Sequence, residues 1–69
     1  MVKFSKREYQ IIVRLGRRNA DIANELGIEM ATVYVHVANI LKKLNAESRT
    51  EAVLKVIQKG LLSPHQFIV

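Results

Sequence analysis

The sequence predicts an all-α fold of four short helices, and three observations predict it. Apolar residues recur at helical spacing in four separate segments, Ser-x-x-Glu pairs stand where two of those segments begin, and no proline interrupts the chain before Pro64. The composition agrees. Of 69 residues 49% are apolar, yet the aromatics are only Phe4, Tyr9, Tyr34 and Phe67. The core must therefore be built from Ile, Val, Leu and Ala, which suits short helices packed on one another. A chain this small buries only roughly 60% of the surface its unfolded form exposes, so it has room for one thin core. Residues 1–69 accordingly read as one domain, with a core over about 4–62 and a short C-terminal tail over 63–69.

The first helix opens at Ser5, where Ser5 and Glu8 form a capping box and Phe4 closes a hydrophobic staple on Tyr9. The stripe Tyr9, Ile12 and Val13, with Ile11 and Leu15, carries it to Gly16. Arg17-Arg18-Asn19 then makes a short basic turn, with Asn19 as the expected cap of a two-turn second helix whose inner face is Ile22, Ala23 and Leu26. Gly27 ends that helix. The third helix is expected from about Met30 to Leu44, and at about 100° per residue it separates two faces. Val33, Val37, Ile40, Leu41 and Leu44 gather on the core side. Ala31, Tyr34, Val35, Ala38 and Lys42 lie opposite, flanked by Thr32, Asn39 and Lys43. Such a face is small, partly apolar and hardly charged before Lys42, which is unusual for a surface that is merely solvated. Asn45-Ala46-Glu47 is a turn, and Ser48-x-x-Glu51 supplies a second capping box that starts the fourth helix. There Ala52, Val53 and Val56 project inward while Leu54, Ile57 and Leu61 lie well round the other side. One monomer core covers only one of those sides. Lys59-Gly60 stops the helix, and Leu61-Leu62-Ser63-Pro64 leads into an apolar end, Gln66-Phe67-Ile68-Val69.

Eleven Lys and Arg against six Asp and Glu leave a net charge of +5. On so small a body this is a positive field over much of the surface, and a polyanion is its natural partner. The absence of cysteine excludes disulfides and thiolate metal sites. His36 and His65 stand far apart with no ligand partners at metal spacing, so no metal and no cofactor is expected. Ser5, Ser48 and Ser63 have cap or turn duties and Asp21 is the only aspartate, so no nucleophile, base and orienter can be assembled. Neither catalysis nor a small-molecule substrate is expected. No apolar run approaches the ~18 residues of a membrane span, and the N-terminus lacks a signal peptide's apolar stretch. The expectation is a soluble, cytoplasmic protein without membrane contact.

A short helix, a turn of Gly27-Ile28-Glu29 and a longer helix form the helix-turn-helix arrangement, in which the longer helix enters the major groove of DNA. That groove, about 12 Å wide, admits one α-helix. An ordinary helical bundle can contain the same turn, so this pattern alone leaves both readings open. Further residues carry a resemblance: Ile22-Ala23, Leu26-Gly27-Ile28, Thr32-Val33-x-Val35-His36, Asn39-Ile40-Leu41-Lys42-Lys43-Leu44 and Arg49-Thr50-Glu51-Ala52-Val53. In order and spacing they resemble the DNA-binding domain of the LuxR family of transcriptional regulators, also called GerE-like, over about Phe4 to Leu62.

The resemblance implies a four-helix domain that binds double-stranded DNA, with the third helix as recognition helix and the fourth as dimerisation helix of a homodimer. By position it implies that Tyr34, Val35 and Ala38 reach base edges, and that Asn19, Thr32, His36, Lys42 and Lys43 meet the sugar-phosphate backbone. Charge adds Arg17 and Arg18, which with Lys42 and Lys43 are the expected electrostatic grip. Val35 would touch a thymine methyl; Tyr34 would meet a base or the backbone, or only pack over its helical neighbours. Leu54, Ile57 and Leu61 are the expected dimer interface. Arg49 aligns with a family arginine for which the resemblance leaves two roles, a structural bridge to an acid such as Glu8, which is preferred, or a phosphate contact.

The sequence departs from the family pattern in three places. The link between the first two helices is shortened to Gly16-Arg17-Arg18-Asn19, Glu29 stands where a Ser or Thr commonly caps the third helix, and Tyr34 and Ala38 replace residues that are frequently basic. A competing reading is a protein-interaction module that pairs with a larger regulator or polymerase through the fourth helix and the apolar tail Phe67, Ile68 and Val69. Met1 lies just before the first cap, which is compatible with a stand-alone regulator or with a piece of a longer one.

Overall fold

The computed structural model describes residues 3–68, so Met1 and the tail residue Val69 lie outside the described residues. Four α-helices follow one another: α1 (Lys6–Ile12), α2 (Asn19–Leu26), α3 (Met30–Leu44) and α4 (Arg49–Gln58), with one 3-10 turn at Pro64–Gln66. No strand occurs among the described residues.

The two serine caps form where expected. Ser5 Oγ accepts the Glu8 N–H at 3.1 Å and the Glu8 carboxylate accepts the Ser5 N–H at 2.8 Å, while Phe4 meets Tyr9 edge-on with ring centroids 5.7 Å apart. At α4 the box is only half made. Ser48 Oγ accepts the Glu51 N–H at 3.1 Å, but the Glu51 carboxylate accepts from the Glu47 N–H at 2.8 Å, one residue further upstream. Neither α2 nor α3 has a side-chain cap. Asn19 does not cap α2 as expected: Arg18 holds the cap position, and Asn19 already lies inside the helix with its side-chain oxygen taken by Arg49.

Three helices end alike, each in a left-handed residue: Gly27 (φ 65°), Asn45 (φ 54°) and Gly60 (φ 71°). The next N–H in each case turns back to a carbonyl of the last turn, Ile28 to Ala23 at 3.0 Å, Ala46 to Leu41 at 2.9 Å and Leu61 to Val56 at 3.0 Å. Such a turn swings the residue after the left-handed one onto the helix it has just left. Ile28, Ala46 and Leu61 all pack against the core as a result. This corrects the placement of Leu61, which helical projection sets on the outer side of the fourth helix; the chain has already left α4 when it reaches Leu61, so the projection does not apply there.

Helix α1 ends at Ile12 rather than Gly16. The chain continues in tight three-residue turns, Arg14 N–H to Ile11 O at 2.9 Å and Leu15 N–H to Ile12 O at 3.1 Å, which carry Leu15 into the core. Helix α3 packs on α1, α2 and α4, and Ile11, Ile12, Ile22, Val33, Ile40 and Val56 are the largest fully buried side chains. The tail also belongs to this body. Phe67 packs against the core and the Ile68 N–H donates to Val13 O at 2.7 Å, so these two residues are tied to the end of α1 instead of forming a loose docking segment.

Candidate nucleic-acid interface

Helix α3 has two faces of opposite character. Val33, Val37, Ile40 and Leu44 are buried in the core, whereas Tyr34 is 66% and Val35 59% exposed, and Ala31, Thr32, Ala38, Asn39 and Lys42 are exposed with them. Most of the Tyr34 surface is therefore open to a partner. Met30, at the start of the same helix, is also exposed. The helical period that buries one stripe for folding necessarily leaves the other outward.

A groove of about 360 Å³ runs beside this outer face, between Tyr34, Ala38 and Leu41 of α3, Asn19 of α2, and Ser48 and Arg49 at the start of α4. Arg49 organises it. Its guanidinium donates to Leu15 O at 3.1 Å, to Arg17 O at 2.5 Å and to the Asn19 side-chain oxygen. Burial pulls the Arg49 guanidinium below the usual arginine range, with the nearby Tyr34 phenol acting in the opposite sense. One side chain thus ties α4 to the shortened link and to the first turn of α2. Because α1 stops early, Leu15 and Arg17 present carbonyls that a continuing helix would have consumed.

The expected bridge from Arg49 to Glu8 is not made. Lys43 takes that carboxylate instead, its Nζ lying 2.7 and 2.9 Å from the two oxygens, 3.3 Å from Lys3 O and 5.5 Å from the centre of the Phe4 ring. Burial alone would push the Glu8 carboxyl up, since its side chain is only 7% exposed; the hydrogen bond and charge of Lys43, together with the Ser5 bonds, outweigh it and hold the carboxyl below its ordinary 4.5. The register decides between the two cations: Lys43 sits on α3, which packs directly on α1, whereas Arg49 faces the other end of α1.

The profile of the GerE family, bacterial regulatory proteins of the luxR family, matches residues 2–56. The chain belongs to this family. It is similar to the uncharacterized transcriptional regulatory protein YxjL of Bacillus subtilis (strain 168), at 43% identity over 61 residues, covering 86% of this chain and 28% of that protein. It is also similar to the response regulator protein VraR of Staphylococcus aureus (strain NCTC 8325 / PS 47) and of Staphylococcus epidermidis (strain ATCC 35984), in each case at 38% identity over 60 residues, covering 84% of this chain and 29% of the relative. The chain spans less than a third of the length of these relatives.

This GerE-family chain is therefore a DNA-binding helix-turn-helix domain, with the all-α architecture expected from its sequence. Its basic residues are not equally placed. Arg18 and Lys42 are exposed, Arg18 pairing with Asp21 at 3.2 Å; Thr32 is exposed and His36 half-buried. Arg17, Asn19 and Lys43 already have intramolecular partners in Glu25, Arg49 and Glu8 respectively. Glu25 is the residue that sequence reasoning missed: its two oxygens take Arg17 at 2.5 Å and Arg14 at 2.9 Å. No helical spacing announces these pairs, because they span the link between α1 and α2. On the outer side of α4, Leu54 is 53% exposed and Ile57 half-buried. Among the described residues no helix is long and apolar enough to cross a membrane, and no three His, Asp or Glu side chains gather as a metal site requires.

Proposed function

We propose that α3 lies in the major groove of duplex DNA, with Tyr34, Val35 and Ala38 toward the base edges and Arg18, Thr32, His36 and Lys42 toward the sugar-phosphate backbone. The observation that carries this reading is the outward, weakly charged Tyr34–Val35–Ala38 face of a helix whose other face is sunk in the core. Small side chains allow close approach, Val35 suits a thymine methyl, and the exposed cations supply the sequence-independent attraction. Arg17, Asn19 and Lys43 leave the contact set, since each would have to abandon a partner inside the protein. The setting is the cytoplasm, where bacterial DNA is regulated, and the working form is a homodimer that pairs through Leu54 and Ile57 of α4, reading two half-sites.

Fluorescence anisotropy over a salt series tests the first part, using duplexes selected from a random pool. Log K is expected to fall linearly with log salt, and Lys42→Ala to flatten the slope by about one unit, as loss of one phosphate contact would. Ala38→Glu is expected to abolish specific binding without shifting the melting temperature, because it places a carboxylate against phosphates from a solvent-exposed position. Salt-independent association would favour the protein-interaction reading instead, and an Ala38→Glu protein that still selects the same duplexes would remove this face of α3 from base reading.

The dimer has its own test. Leu54→Glu is expected to leave the fold intact and to reduce occupancy of a two-half-site duplex from two copies to one in sedimentation. Two copies bound equally well by the variant would remove α4 from the interface.

A further inference from the structure

Glu25 joins two arginines across the link between α1 and α2. It lies on α2, the helix that braces the recognition helix, and both of its oxygens are committed: Oε2 to Arg14 Nε at 2.9 Å and Oε1 to Arg17 NH1 at 2.5 Å. The three side chains are only 20–32% exposed, so much of their hydration and freedom of movement is already given up in the folded protein. Arg14 is further held by Gln10 O at 2.6 Å, and the Arg17 backbone by Arg49. The link that carries Arg17 adjoins Asn19, which lines the same groove as Tyr34 and Arg49, so Arg17 stands next to the border of the proposed DNA face, and Arg14 shares its carboxylate.

We propose that Glu25 limits the affinity of this domain for DNA by withholding Arg14 and Arg17 from phosphates. The inference rests on the DNA-binding reading above. An arginine seated on an intramolecular carboxylate has a partner with no association entropy to lose, and a phosphate must displace that partner before it gains a contact. A free guanidinium would add to the salt-dependent term about 0.9 units of slope for each phosphate it neutralises. With Glu25 in place the two arginines add none, and discrimination rests more heavily on the α3 face, because sequence-independent attraction is held down.

The test is a salt series on a non-specific duplex with the wild type, Glu25→Gln, and the triple variant Glu25→Gln/Arg14→Gln/Arg17→Gln, each checked for helicity and cooperative melting. Glu25→Gln is expected to bind more tightly and to steepen the slope by about one to two units. The triple variant, although one positive charge poorer than the wild type, is expected to return to the wild-type slope. An unchanged slope in Glu25→Gln would overturn the proposal. So would a triple variant whose slope falls a unit or more below wild type, because the arginines would then have been touching phosphates all along. Absence of salt-dependent binding by the wild type itself would overturn the DNA-binding reading and this inference together, an outcome distinct from the other two.

Discussion

Ile40→Ala is expected to remove about 2–5 kcal/mol of the domain's stability. Ile40 is completely buried in the middle of α3, the helix on which α1, α2 and α4 all pack. Truncating a buried isoleucine to alanine costs about 2–5 kcal/mol, part transfer free energy and part cavity. A 69-residue domain has a total stability of about 3–10 kcal/mol on the usual scale per residue. One side chain is therefore comparable with the whole margin, and no disulfide is available to make up the loss. Urea denaturation followed by circular dichroism checks this directly. A midpoint displaced by less than the equivalent of about 1 kcal/mol would mean that the core yields around the cavity, contrary to what a fully buried central residue should show.

Arg49→Met is expected to destabilise the domain by about 2–3 kcal/mol and to weaken specific DNA binding more than non-specific binding. Methionine keeps the length of the stem but removes every donor, stranding Leu15 O, Arg17 O and the Asn19 side chain. Bonds to a charged donor contribute about 1.5–3 kcal/mol each, and their loss is only partly offset here because water reaches the edge of the groove. The functional consequence follows from position. Arg49 is the tie between α4 and the first turn of α2, and Asn19 on that turn lines one groove with Tyr34 of the proposed reading face. Loosening it lets α2 shift against α3, which costs register on the duplex before it costs charge. Arg49→Lys, able to satisfy one of the three acceptors, should fall between the two. The ratio of specific to non-specific affinity is the informative measurement: a uniform loss for both would make Arg49 a phosphate ligand, not a positioning residue.

The contrast between these two residues marks how far the sequence could be read. Ile40 is legible because its role depends on a local regularity: it recurs with Val33, Val37 and Leu44 at helical spacing, and a stripe of that kind is buried whatever it packs against. The same holds for Ser5 and Glu8, whose mutual bonds lie three residues apart, and for Gly27, whose left-handed turn needs no knowledge of the rest of the chain. The candidate reading face on α3 was legible for this reason too, being what remains after the buried stripe is subtracted. Arg49 reads from the sequence as a structural arginine with Glu8 as its partner, and the role is legible while the partner is not. Lys43 reads from the sequence as a backbone-phosphate contact, yet it takes the Glu8 carboxylate, because which cation reaches Glu8 depends on which end of α1 each helix crosses.

Asn19, Arg17 and Leu61 each meet partners that local spacing does not announce, for related reasons. Asn19 has the chemistry of a cap, yet a guanidinium arriving from 30 residues away claims its oxygen. Arg17 has the chemistry of a phosphate ligand, yet Glu25 meets it across a turn whose shape no spacing rule describes. Leu61 has the helical phase of an outer residue, yet Gly60 reverses the chain before it and returns it to the core.

What the amino-acid order determined by itself is everything governed by neighbours within about four residues: four helices, where two of them are capped, where three of them stop, and which side of α3 is left outward. What only the tertiary structure decided is how the charges are shared, because 11 cations compete for six carboxylates and a few exposed carbonyls, and Coulomb attraction has no period in sequence. Packing α3 against α1 and α4 against the link brings particular pairs to contact distance, and that geometry separates the cations spent on folding from those left facing solvent.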